Sequence, residues 1–463
     1  MGSLSRWLAP LFPESDRSGR PRLVVGLGHV VGVAGVALLA MGRQSGTPAW
    51  RTLWAEDGSV FYGQAATHPI WRTLATSYNG YLQLVPRLGG AFARLFPVGD
   101  AAAVMAWGGA LGLGILVAAV FHMSRAHLPS VGARCVLGLS MVLLPVAVVE
   151  MLDNFVNLPW WMYFAAFWAL LWRPRGRTGR AGAFALCALA AASEPLVGLL
   201  VPLAAARVLA LPRRRENNAV WGLVAGLAYQ GAIVVTAPPG QGFPASGLAS
   251  TVPAFFLRVG VGWVAGLRGT DGLLGTSRLL GELLGAVVIG AVLAGVAVAG
   301  GAVARRFAAA VTVLAPLCFI VPSWLRGAGP MERAASVGFG GRYAATSILM
   351  VVSALLVGVT GARLAPGGRA TRVGRGGGRH ARARGRRAGW AVPACCLVLL
   401  PAWVVDYRDW NGRSAGPTWP DEVAAARATC AGPSPPRLVR LGTEPPGAFV
   451  VLPCSVVDAP SRG

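Results

Sequence analysis

The residues able to do chemistry in this chain are few, and they cluster. Glu56 and Asp57 stand side by side in "LWAEDGSVFYGQA" (53–65), just past a long apolar run. Glu150 and Asp153 occur in "VVEMLDNFVNLPWW", where an i, i+3 spacing sets them on neighbouring positions of one helical face. Glu194 lies in "SEP" between two apolar stretches, and an acid at membrane depth requires a polar cavity or a partner. Opposite charge comes from Arg87, from Arg258, Arg268 and Arg278, and from Arg326, Arg333 and Arg342. In "GFGGRYA" (338–344), Arg342 and Tyr343 follow glycines at the mouth of an apolar run, where a guanidinium can grip a phosphate through paired hydrogen bonds. Plainer readings stay open. Glu56 and Asp57 suit solvated loop acids or a helix cap, Glu150 and Asp153 a polar helix end beside interfacial Trp160 and Trp161, and Arg342 a snorkelling anchor.

The elements that must position these residues are membrane helices. The chain is 54% hydrophobic and only 13% charged, with a mean hydropathy of +0.56, whereas soluble chains carry about 25% charged residues. Its apolar runs are continuous, not alternating, which points to an all-α polytopic protein and away from a β-barrel. The segments 23–41, 101–121, 135–149, 158–172, 181–193, 196–211, 219–237, 280–299, 307–324, 344–361 and 390–405 are the candidate spanning or hairpin helices. The first follows a basic N-terminus, as a signal peptide would, but it is long and "AMGRQSG" is a poor cleavage site, so it reads as a retained helix.

The net charge of +24 carries little weight by itself, because all 42 basic residues are arginine and the chain is rich in Ala, Gly, Val and Pro, as in a GC-rich coding bias. Position carries more. With the N-terminus (1–22) inside, 25 arginines fall on inner segments against three acids, Glu14, Asp16 and Glu216, which is a positive-inside pattern with the C-terminus outside. Residues 180–215 decide the parity: both flanks are basic, and 181–193 would rise only about 20 Å as helix, so the stretch reads as a short hairpin (181–211) turning at "SEP". One long helix kinked at Pro195 is the competing reading. The Arg/Gly-rich stretch 362–389 reads as a disordered inner loop on anionic lipid, with no aromatic interleaving to suggest nucleic acid.

Outside lie the long first loop (42–100), too aromatic for a mere connector, and the tail 406–463. In the loop, Leu82, Val85, Leu88 and Leu95 can share an apolar face lying along the membrane. Cys430 and Cys454 fall together in the tail, an oxidising place, and are expected to form a disulfide in a small stapled lobe. The five histidines are scattered, no metal-ligand spacing occurs and no Walker-type loop is present.

An acidic pair in the first outer loop directly after the first span, many further spans and a short mid-chain hairpin together resemble the GT-C glycosyltransferases. The likeness covers the architecture of residues 1 to about 405, and its sharp motif is "AEDG". It implies transfer of a sugar from a polyprenyl-phosphate carrier to an outer-face acceptor, in the plasma membrane. By position, the family's loop-one acid would be Asp57, with Glu56 as the alternative, acting as general base on the acceptor hydroxyl. Arg342 is then the first candidate cation for the leaving phosphate and Arg87 the second, while Glu150, Asp153 and Glu194 would hold sugar hydroxyls. Some members use a divalent cation, which these acids would permit. The chain departs from the pattern in having no lysine and only a short tail, which leaves the acceptor unassigned. A transporter or lipid flippase is the rival reading, and no internal repeat of the kind transporters show is evident.

Overall fold

A computed structural model describes residues 3–14, 22–237, 246–326, 340–361 and 378–458. Arg333 and residues 362–377 of the Arg/Gly-rich stretch lie outside them, and of Arg326 only the backbone is described. The chain is mainly helical. Its helices are α1 (Ser3–Leu8), α2 (Arg22–Met41), α3 (Gly63–Thr67), α4 (Ile70–Ala75), α5 (Leu84–Ala93), α6 (Ala101–Met123), α7 (Val131–Val142), α8 (Leu158–Leu171), α9 (Arg177–Ser193) and α10 (Val201–Ala210). They continue as α11 (Asn218–Thr236), α12 (Leu248–Phe255), α13 (Gly266–Thr276), α14 (Arg278–Ala299), α15 (Ala302–Arg326), α16 (Gly341–Gly361), α17 (Gly378–Val405), α18 (Trp419–Cys430) and α19 (Cys454–Val457). An antiparallel pair, β1 (Leu438–Thr443) and β2 (Ala448–Pro453), completes the tail, with Leu438 opposite Pro453 and Thr443 opposite Ala448.

Five of these helices, around α6, α11, α14, α15 and α16, are long and apolar enough to cross a membrane. Shorter apolar helices include α8, whose residues are all buried, so that it forms the centre of the helical packing. The expected segment 135–149 does not run as one helix. Pro145 forces Leu144 into an extended conformation (φ −53°, ψ 121°) and starts a separate 3₁₀ turn, so α7 stops at Val142. The last helix begins at Gly378, not near 390, so the end of the stretch expected to be disordered is helical.

Residues 177–210 form a hairpin and not one kinked helix. Glu194 leaves helical geometry (φ −146°, ψ 110°), Pro195 starts the return, and an ion pair of 2.6 Å from Arg173 to Glu216 ties the two flanks together. α11 then runs alongside α9 so closely that a Cβ on Gly222 or Gly226 would strike the carbonyl oxygens of Phe184 and Ala188. Segments expected inside meet at this end: Glu14 pairs with Arg173 (3.0 Å) and Arg175 (3.1 Å), and Arg306 donates to the Trp7 carbonyl at 3.1 Å.

At the opposite end Arg43, fully buried, donates to the carbonyls of Val142 (2.7 Å), Leu144 (3.1 Å), Asp406 (3.0 Å) and Tyr407 (3.0 Å), clasping the ends of α2, α7 and α17. The region between α11 and α14 holds α12, a π-helical turn Phe256–Val261 carrying buried Arg258, and α13, whose first turn is capped by the Asp406 carboxylate at Leu267 N–H (2.5 Å).

The tail is more than an appended lobe. Trp419, Val423, Leu441, Val450 and Leu452 share one core with Leu53 and Tyr62 of the first loop and Met105 of α6. The backbones also join, Glu444 N–H donating to Leu53 O (2.8 Å) and Ala55 N–H to Glu444 O (2.5 Å). A disulfide links Cys430 to Cys454, 24 residues apart. Reduction is expected to cost the lobe roughly 3 kcal/mol through the restored freedom of that loop. Thermal melting followed at Trp419 with and without reductant checks this, while the helical circular dichroism of the spans should hold.

Candidate functional site

The motif "AEDG" splits its two acids between different surroundings. Glu56 precedes a π-helical turn, Asp57–Tyr62, and is partly exposed. Asp57 points the other way, is 1% exposed, and accepts the Phe155 N–H on Oδ2 and the Val156 N–H on Oδ1, each at 2.8 Å. Both of its oxygens are thereby engaged in bracing the first loop against the 148–157 turn. Burial pushes its carboxyl up to about 7 against the pull of these N–H groups and of Arg413.

That turn is held by its own side chains. Asn154 and Asn157 donate to the Glu150 carbonyl at 2.8 and 2.7 Å, Trp161 donates to Met151 O at 3.2 Å, and Asp153 takes a left-handed conformation (φ 56°). The carboxylate of Glu150 is thus presented to Arg342, whose Nη1 lies 3.2 Å from Oε2 and whose N–H donates to Oε1 at 3.4 Å. Gly340 (φ 71°) turns the chain into α16, and Gly341 packs on the Val146 carbonyl, which fixes Arg342 in the helix's first turn beside the acid. Tyr343 lies under the Arg342 guanidinium (5.4 Å) and edge-on to Trp160 (5.4 Å).

Glu56 lies within electrostatic reach of both Arg342 and Tyr78. Glu150, Arg342 and Tyr343, from the 148–157 turn and α16, are therefore in contact, with Glu56 and Tyr78 of the first loop within charge range of Arg342. Burial and Glu56 raise the Tyr78 hydroxyl above its ordinary range while Arg342 pulls it down.

The other expected residues sit apart. Asp153 faces Arg43 and Arg413 in a cleft also lined by Trp54 and Asn411, whose interior has room for about one water molecule. Glu194 is buried at the hairpin apex and accepts the Leu196 N–H at 3.1 Å. Arg87, on α5, donates to Gln64 Oε1 at 2.7 Å and lies 5.7 Å from the Phe61 ring centre; Phe61 meets Tyr78 edge-on at 5.9 Å. Arg268 pairs with Asp409 (3.7 Å) and Arg278 with Glu282 (2.7 Å), both structural contacts at the surface.

Among the described residues no three His, Cys, Asp or Glu side chains converge as a metal site. Glu150 is already paired with Arg342 and Asp57 with backbone N–H groups, so these acids do not fit a resident divalent cation.

Sequence reasoning missed Arg413 and Glu444. Arg413 reaches under the Trp54 ring (5.1 Å) to the Asp153 carbonyl at 2.9 Å, and Glu444 is fully buried with neither carboxylate oxygen hydrogen-bonded. Burial pushes Asp57, Asp153 and Glu444 each up to about 7, with Arg413 opposing in all three and Arg43 also at Asp153. The folded form thus keeps protons that the unfolded chain, with ordinary values of 3.8 and 4.5, gives up earlier. Stability of the packing between the tail, the first loop and the 148–157 turn is therefore greatest at acid pH and falls as pH rises through about 7. Amide exchange over 438–457, corrected for its intrinsic pH dependence, is expected to show easier opening at alkaline than at acid pH; equal opening would contradict this.

No family model matches the chain, and neither curated proteins nor solved structures contain a significant match to it.

Proposed function

We propose that this chain is a membrane glycosyltransferase of the GT-C type, moving a sugar from a polyprenyl-phosphate donor to an acceptor at the outer face of the plasma membrane. In this reading all eleven apolar segments are spanning or hairpin elements, with the N-terminus inside and the C-terminus outside. The observation that supports it is that a partly exposed carboxylate, Glu56, lies within charge range of the Arg342–Glu150 pair.

The chemistry assigns roles by accessibility. Glu56, not the fully engaged Asp57, takes the proton from the acceptor hydroxyl as that oxygen bonds to the anomeric carbon. The carbon–oxygen bond to the carrier breaks at the same centre, and its electron pair leaves with the phosphate. Arg342 holds Glu150 in place, and its remaining N–H groups together with Glu150 and Tyr343 are available to sugar hydroxyls and the departing oxygen. The test is transfer of labelled sugar from a polyprenyl-phosphate pool in membranes with and without the protein; no protein-dependent transfer across a broad donor panel would remove this reading in favour of transport.

A further inference from the structure

Glu150 is paired with Arg342, and the turn that carries it is also held by the tail. Asn411 Nδ2 donates to the Val148 carbonyl at 3.0 Å, and Arg413 Nη2 donates to the Asp153 carbonyl at 2.9 Å. These carbonyls stand shortly before and shortly after Glu150 in the chain, so the two grips bracket the acid. Glu150, Asp153, Asn411 and Arg413 line one cleft, and its room for about one water molecule makes it a contact and not a substrate site.

The gripping segment is braced locally. In "DYRDWNGRSAG" (406–416), Asn411 Oδ1 accepts the Arg413 N–H at 2.9 Å, an Asx turn that leaves the amide nitrogen for Val148. Ser414 Oγ accepts the Asn411 N–H at 3.0 Å, which closes the turn from its other end. Gln44 meets both atoms of the Asn411 amide (3.0 and 3.1 Å), and Thr47 N–H donates to Ser414 O at 3.0 Å. Between them Gly46 (φ 64°) lies so close to the Ser414 carbonyl that a Cβ would not fit. The strap is thereby tied to the residues that follow α2. Arg413, 2% exposed, adds a contact of 5.1 Å to the Trp54 ring centre of the first loop.

We propose that the 406–416 strap sets the position of Glu150 against Arg342, with Asn411 and Arg413 as its positioning residues. Neither touches the Glu150 carboxylate by hydrogen bond; both act through the backbone that presents it. The placement holds whether or not a reaction follows. Its consequence for catalysis rests on the glycosyltransferase reading, in which misplacing an orienting group by about 1 Å costs about 100-fold in rate.

The test follows Arg342 in the purified full-length protein through its rate of modification by phenylglyoxal, read by peptide mass spectrometry. The Arg342 side chain is 34% exposed, so the reagent reaches it, and exposed Arg72 on α4 serves as an internal reference. Glu150→Gln marks the rate of an unpaired Arg342. Asn411→Ala is expected to raise the Arg342 rate about 2- to 5-fold, as for loss of a partly exposed ion pair, with Arg72 unchanged. Arg413→Gln should do the same and Arg413→Lys less, because lysine keeps the charge and one donor but not the fork. If Arg413→Gln does not fold, Asn411→Ala decides alone, since it removes an uncharged, partly exposed side chain. An Arg342 rate unchanged in Asn411→Ala, or raised equally at Arg72, would overturn the placement. In membranes Asn411→Ala should lower kcat about 10- to 100-fold with KM little changed. A faster Arg342 with wild-type kcat would overturn the catalytic consequence, whereas a wild type that transfers nothing would remove the transferase reading and leave the Arg342 readout to judge the strap.

Discussion

Membranes carrying Glu56→Gln are expected to transfer sugar about 100- to 10,000-fold more slowly than wild type at matched protein level, the span typical for loss of a general base. The substitution keeps the shape of the side chain and removes only its ability to take a proton. Glu56 is partly exposed and accepts no backbone N–H as Asp57 does, so folding should be little affected. The proposed base would be excluded by wild-type rates in Glu56→Gln alongside a clear protein-dependent signal. Donor affinity offers a second readout: a base acting in the chemical step lowers kcat with KM little changed, whereas a residue that merely shapes the pocket raises KM.

Asp57→Ala is expected to act through stability. It leaves the Phe155 and Val156 N–H groups without their acceptor, and at about 1–3 kcal/mol for each buried donor the loss is roughly 2–6 kcal/mol. Removing this carboxylate also leaves Arg413 facing fewer negative charges. The expected signature is a lowered melting temperature and reduced yield, with near-normal transfer per folded molecule. A stable Asp57→Ala protein that folds fully and transfers nothing would move the base back to Asp57. Activity alone in membranes confounds the two acids, since a brace and a base both abolish the signal when lost.

The helices were legible because unbroken apolar runs are hard to reconcile with anything else, and the hairpin because arginine marked both of its ends. The break in 135–149 was foreshadowed by Pro145, though the apolar run continued through it. The π-helical turn at Phe256–Val261 and α13 were hidden, because "FLRVGVGWVAGLRGTDGLLG" mixes glycine and arginine with apolar residues and never reaches a spanning length. At the site, the residue types stood out but their grouping did not. Glu150 and Arg342 are 192 residues apart, and nothing local to either signals the other. Which of Glu56 and Asp57 faces outward depends on the π-helical turn that follows them, and its wider spacing has no marker in the residue pattern. Arg43 and Arg413 escaped because their hydrogen bonds go to backbone carbonyls and the acids they face, Asp153 for both and Asp57 for Arg413, lie far from them in the sequence.

The joining of Leu53 and Ala55 to Glu444 also sets a schedule for biosynthesis. The acids of the first loop emerge early, yet the strand that flanks them is encoded some 390 residues later, after the last long helix. At about 5–20 residues per second, synthesis leaves the loop without its partner for tens of seconds. Until then Leu53 and Tyr62 lack the apolar surface they finally pack against, so a ribosome stalled before Glu444 would yield a chain whose first loop has an unfinished core.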